Sequence, residues 1–140
     1  MNDDVVLAKF TKLSRCVARI REKAPTTAEA LGCDLDAQDI LTLNLERAVQ
    51  ICVDVATHLV SEAGLNVPES MAESFTVLAA AGILTLPTAE RMRKAVGFRN
   101  LAVLEYSRID WEIVHALITI HLDDFSTFAR EVTRHRGMLP

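Results

Sequence analysis

Apolar residues recur every three to four positions along the chain, the period of a helix with one buried face, and no segment alternates with the period of two that a strand requires. Val6, Phe10, Leu13, Val17, Ile20 and Ala24 step alternately by four and three. That seam predicts a first helix over about Asp4 to Lys23, packed nearly parallel to a neighbour and ended by Pro25. Thr26 with Glu29 reads as a capping box for a short turn closed by Gly32. A second helix is expected from Asp36, as N-cap, to about Ala63, with Gly64 as its stop. Leu41, Leu45, Ala48, Cys52 and Leu59 form one stripe on it, and Val49, Val53, Ala56 and Val60 form another. A helix apolar on two sides needs two covers, and in so small a protein the second is expected to be a partner subunit.

Ser70 and Glu73 form a further capping box that opens a short helix to about Ala81, closed by Gly82. Pro87 suits the first turn of the next long helix, which continues past Arg99. Ser107-Arg108-Ile109 reads as a turn. Asp110 then caps a last helix running to about Arg136, with Trp111, Val114, Ile118, Leu122, Phe125, Phe128 and Val132 on its inner face. The expectation is an all-α protein: one domain over residues 1–140, an up-and-down bundle of four main helices plus one short helix.

Composition sharpens this picture. Half of the residues are apolar, with only 5 Gly and 4 Pro, which suits helices. Charges interrupt every apolar run before it reaches a membrane span, and the acidic start Met1-Asn2-Asp3-Asp4 is unlike a signal peptide. Cys16, Cys33 and Cys52 are odd in number without CxxC spacing, and read as reduced thiols of a cytoplasmic protein. The net charge of −4 argues against a dedicated nucleic-acid binder, but it hides an asymmetry. Arg47 is the sole base between Cys33 and Leu84, whereas Arg91, Arg93, Lys94 and Arg99 cluster on one segment and Arg130, Arg134 and Arg136 on another. Such strips can hold a phosphate backbone or can be solvated helix faces.

Arg99 is the first candidate for chemistry. Met92, Val96 and Val103 share its helical face, and Tyr106, seven residues on, falls within roughly 20° of it if the helix continues. A guanidinium on an apolar face suits phosphate oxygens, or a core carboxylate such as Asp54, or it snorkels to the surface. Asp54 and His58 lie four apart on one helix face, so they can meet either as a proton-shuttling Asp–His pair or as a packing contact. Glu112-Ile113-Val114-His115 matches half of a di-iron signature, but no second copy exists. Gly-rich phosphate loops, haem-attachment spacing, zinc spacing and nucleophile elbows are absent, so neither a metal nor another cofactor is called for.

Arg99-Asn100-Leu101-Ala102-Val103-Leu104-Glu105-Tyr106 resembles the Arg-x4-His-x-Tyr signature of the HepT-like family of the HEPN superfamily, with Leu104 at the position of the family's His. The resemblance extends to Ala48-Val49-Gln50 with Asp54 to Leu59, to Phe75, Leu78 and Gly82 in the middle segment, and to Val96-Gly97-Phe98 before the signature. It implies a homodimeric HEPN-like bundle acting as a metal-independent endoribonuclease toxin. A minimal nucleotidyltransferase antitoxin would neutralise it by modifying Tyr106. Arg99 would stabilise the charged phosphorane of RNA cleavage and Asn100 would orient the phosphate. The missing His would have supplied proton transfer, which Leu104 does not do. His58, supported by Asp54, is the candidate substitute. The alternative is a catalytically degenerate member that serves only as partner or substrate of the nucleotidyltransferase.

Overall fold

The computed structural model describes residues 1–138. They form seven α-helices and one 3₁₀ turn, with no strand among the described residues. The long members are α1 (Asp3–Lys23), α3 (Leu35–Glu62), α5 (Leu86–Leu104) and α7 (Asp123–His135). The short ones are α2 (Ala28–Gly32), α4 (Met71–Ala80) and α6 (Trp111–Ile120), and the 3₁₀ turn Tyr106–Arg108 joins α5 to α6. The 28-residue α3 extends roughly 42 Å at the usual helical rise and forms the spine. α1, α4, α5 and α7 pack around it, while α2 and α6 pair beside it. This is the expected all-α up-and-down bundle.

Local chemistry explains most boundaries. Asn2 caps α1, Ser70 caps α4, Thr85 caps α5 and Asp110 caps α6, each side-chain oxygen accepting a backbone N–H of the first turn. Gly64 and Gly82 take φ of +68° and +77°, a left-handed geometry that closes α3 and α4 and that a side chain would strain. After Gly64, Leu65 N–H returns to the Val60 carbonyl at 3.0 Å, completing the C-cap. Two caps differ from expectation. Asp34, not Asp36, caps α3 by accepting from Ala37 N–H at 3.0 Å, and Asp36 falls in the first turn, where its charge suits the helix dipole. Thr27, not Thr26, caps α2.

The single last helix expected from Asp110 to Arg136 is two helices, α6 and α7, broken at His121–Leu122. Ile118, Thr119 and Ile120 weaken the end of α6, and Asp123 and Asp124 favour a new helix N-terminus. The break keeps the hydrophobic phase: Val114, Ile118, Leu122, Phe125, Phe128 and Val132 are all buried.

The two stripes of α3 are both covered within the chain. Leu41, Leu45, Ala48, Cys52 and Leu59 are buried, and so are Val49, Val53, Ala56 and Val60. α1 lies on α3, and α4, α5 and α7 also pack on it, so the doubly apolar helix needs no partner subunit to cover it. Phe128 anchors the core, meeting Phe10 and Phe75 edge-on at ring-centroid distances of 6.4 and 5.6 Å.

Candidate functional site

α5 buries Thr88, Ala89, Met92, Val96 and Ala102, and Arg99 stands two turns beyond Met92 on nearly the same face. Its side chain is therefore carried at the edge of the apolar stripe, half-buried. The Arg99 Nη1 donates to Asn100 Oδ1 at 3.1 Å. Among the described residues no carboxylate lies within ion-pair distance of this guanidinium. Arg is rarely buried unless paired, and the fork keeps N–H donors that no protein carboxylate among the described residues accepts.

The helix ends sooner than its periodicity suggests. Glu105, at φ −144° and ψ 58°, leaves helical geometry, and its N–H closes the last turn on the Leu101 carbonyl at 2.8 Å. Leu104, the last helical residue, is 79% exposed, and Val103 beside it is also exposed. Tyr106 thus does not continue the Arg99 face, as a longer helix would require. It turns back over the start of α3, where its hydroxyl donates to Asp39 Oδ1 at 2.7 Å. Its ring meets Trp111 edge-on at 6.0 Å. Partial burial, and then the hydrogen bond to Asp39, hold its phenol above the ordinary tyrosine pKa. Thr42 Oγ1, buried nearby, has no hydrogen-bond partner among the described residues and so does not offset this shift. Asp39 and Glu46 add repulsion against the phenolate.

Asp54 and His58 do not form the pair that their spacing permits. Asp54 turns toward α1, accepting from Gln50 at 2.8 Å and pairing with Lys9 at 3.7 Å. His58 instead faces the end of the bundle, where its ring contacts the Met1 ammonium and Glu62 Oε2, the latter at 3.0 Å. Arg136 completes that end, donating to Asp3 and Glu62 at 2.9 Å each and to the Met1 carbonyl at 3.1 Å. Neither Asp54 nor His58 is hydrogen-bonded or ion-paired to Arg99. The i,i+4 rule brings two residues to one face, but stronger partners on other helices decide where their side chains go.

The remaining candidates separate by partner. Arg91 pairs with Asp124 at 3.5 Å and Lys94 with Glu90 at 3.9 Å, so two of the four bases of that strip are compensated internally. His115 contacts the Pro25 carbonyl, and His121 contacts Asp124. Lys12, Arg15 and Arg47 rim a groove of about 740 Å³ between α1 and α3, floored by Ile40, Leu43 and Ile51. Arg99 and Tyr106 do not line it. No group of three potential metal ligands occurs among the described residues. Sequence reasoning missed Asp39 as the partner of Tyr106. Asp39, Thr42 and Glu46 share one face of α3 by their helical spacing, but that spacing does not name the partner of Asp39.

Comparison with known proteins shows the family and the fold. The family model described as ribonuclease HepT-like matches residues 13–132. The chain is 33% identical over 126 residues to the mRNA nuclease HepT of Shewanella oneidensis, covering 90% of this chain and 94% of that protein. Among solved structures, the tri-AMPylated Shewanella oneidensis HEPN toxin in complex with its MNT antitoxin superposes with a TM-score of 0.87 at 33% identity, covering 96% and 99% of the two chains. A toxin–antitoxin structure with AMP-PNP gives 0.88 at 31% identity, covering 94% and 99%. No helix of the described residues is long and apolar enough to cross a membrane.

Proposed function

Because this chain belongs to the HepT-like ribonuclease family, we propose that it is the RNA-directed toxin of a toxin–antitoxin pair, held in check by a minimal nucleotidyltransferase that modifies Tyr106. The observation that carries this reading is the half-buried Arg99 guanidinium, braced by Asn100 and lacking any carboxylate partner among the described residues. A phosphate is the anion that its planar fork fits. Cleavage of RNA without a metal needs a base for the 2′-hydroxyl, an acid for the leaving oxygen and a donor to the charged phosphorane. Arg99 takes the last role and Asn100 orients it. The relatives described above, an mRNA nuclease and HEPN toxins found with antitoxins, support the assignment. The exposed Val103, one turn beyond Arg99, and the exposed Leu104 at the end of α5 support a homodimer whose two α5 ends meet at a shared cleft, and we place that dimer in the cytoplasm.

Leu104 favours a second reading. It stands where the family's proton-transferring His would be, it is 79% exposed, and its side chain has no ionisable group. His58 is engaged with Glu62 and the N-terminus and does not face Arg99. On this reading the chain has lost cleavage and serves as partner and substrate of the nucleotidyltransferase. One experiment separates the two: a tRNA mixture incubated without metal with wild type, Arg99→Ala and Leu104→His. Cleavage by wild type that Arg99→Ala abolishes supports the nuclease. An inert wild type with Arg99-dependent cleavage by Leu104→His supports the degenerate member. If none of the three proteins cleaves, tRNA is not the substrate of this site.

A further inference from the structure

We infer that Asp39 is the proton acceptor for Tyr106 when its phenol attacks a nucleotidyl donor, so that this chain supplies the general base for its own modification. The inference rests on the reading of Tyr106 as the modified residue, and it adds a second residue to that site. Its foundation is one contact: the Tyr106 hydroxyl donates to Asp39 Oδ1 at 2.7 Å. Both side chains are exposed enough to meet a docked partner, Tyr106 at 41%. Among the described residues no cation lies within ion-pair distance of Asp39, so its carboxylate is not already neutralised. The other groups facing the phenol are Glu46 and Thr42 on α3 and the Trp111 ring on α6, and the neighbouring Glu105 and Arg108 pair with each other at 3.3 Å.

The chemistry closes without further reagents beyond a nucleoside triphosphate held by the partner. The phenolic oxygen forms a bond to the α-phosphorus, and the bond from that phosphorus to the bridging oxygen breaks. Pyrophosphate leaves, and the phenolic proton passes to Asp39 Oδ1. Kinases use a catalytic-loop Asp in the same way to accept a substrate hydroxyl proton. Here the substrate brings the carboxylate. A neutral phenol held above its ordinary pKa has very little phenolate at neutral pH, so a positioned base has a large effect.

The test follows nucleotidyl incorporation by mass spectrometry with ATP, magnesium and the partner nucleotidyltransferase. Tyr106→Phe should take up nothing. Asp39→Asn keeps an acceptor oxygen for the phenol but no base, and should slow incorporation by about 10²- to 10⁴-fold at unchanged partner affinity. Asp39→Glu should recover part of the rate, and Glu46→Gln should leave it unchanged. Incorporation by Asp39→Asn at the wild-type rate, or a loss explained by weaker partner binding, overturns the inference. A partner-free arm keeps the two readings separate. An arylsulfonyl fluoride is attacked by the same phenolic oxygen, with fluoride leaving. The wild-type rate should be nearly flat across neutral pH, because transfer of the proton to Asp39 during attack does not depend on the phenolate fraction. Asp39→Asn should rise about tenfold per pH unit with the phenolate fraction. Parallel profiles for the two proteins overturn the base role. A flat wild-type profile without nucleotidyl uptake upholds Asp39 as base and rejects the nucleotidyltransferase reading.

Discussion

Arg99 and Asn100 are bound to each other by a single 3.1 Å hydrogen bond from guanidinium to side-chain amide, and no carboxylate among the described residues completes the pair. Such an arrangement contributes little to stability, since a half-buried cation without a counter-charge gains no ion-pair energy. Arg99→Ala should therefore keep folding free energy within about 0.5 kcal/mol, measured by chemical denaturation. It should lower RNA affinity or cleavage by about 10²- to 10³-fold, the range seen when a donor to a charged transition state is removed. Arg99→Lys should rescue poorly, because an ammonium lacks the two-pronged fork. A stability loss of several kcal/mol with RNA binding intact would make Arg99 a structural residue.

Tyr106 provides a spectroscopic prediction, because it is the chain's one tyrosine. Its tyrosinate absorbance should titrate above the ordinary tyrosine value, chiefly through burial and then through Asp39. A phenol whose pKa is higher folded than unfolded adds stability that is fully present below the unfolded value. That stability is lost as pH rises through the folded value. Alkaline denaturation should therefore carry a contribution from Tyr106 that Tyr106→Phe removes. Asp39→Asn should move the titration back toward the ordinary value. An unshifted wild-type titration would place the ring in solvent.

How much of this was legible in the sequence follows from what periodicity records. A hydrophobic phase reports which face is buried, so α1, α3, α4 and α5 could be outlined from it. It does not report a break that preserves phase, and Leu122 and Phe125 continue the Val114–Ile118 register across the α6–α7 junction. Nor does it show which element covers a face. The second stripe of α3 looked like a dimer surface because sequence has no way to fold α4, α5 and α7 back upon it. At the site, Arg99 and Asn100 are neighbours in sequence and were legible as such. The Tyr106–Asp39 contact spans 67 residues and depends on Glu105 leaving the helix, a backbone event that no spacing encodes.

Glu131 ties α7 to the start of α5 and predicts a stability loss without a functional one. Its carboxylate accepts from Thr88 Oγ1 at 2.5 Å and from Thr85 N–H at 2.7 Å. Thr88 is buried, so removing the acceptor leaves its hydroxyl only Thr85 Oγ1, 3.0 Å away, as a partner. Glu131→Ala should cost about 1–3 kcal/mol, the range for losing hydrogen bonds to a charged acceptor. For a domain of this size that is a fall in Tm of about 3–10 °C, read by calorimetry. A shift under 1 °C would mean that water replaces the carboxylate at no cost.

Arg136 and Glu62 lock the chain's two ends against α3, and their geometry sets a pH dependence. The guanidinium reaches Asp3 and Glu62 at 2.9 Å each, and it is only 10% exposed. Glu62 is held below the ordinary carboxylate value, first by its hydrogen bond to His58 and further by Arg136. A carboxylate whose pKa is depressed by folding contributes stability above its unfolded value and loses it as pH falls through the folded one. Acid denaturation should accordingly weaken this end below about pH 4.5, the unfolded range. Glu62→Gln should flatten that part of the stability profile. Arg136→Met should do the same while preserving the apolar packing of the stem. Hydrogen exchange gives the local readout: protection in the first turn of α1 and the last turn of α7 should fall together with acid in the wild type. If the two helix ends lose protection at different pH values, the shared clamp through Glu62 and Arg136 does not hold them in solution.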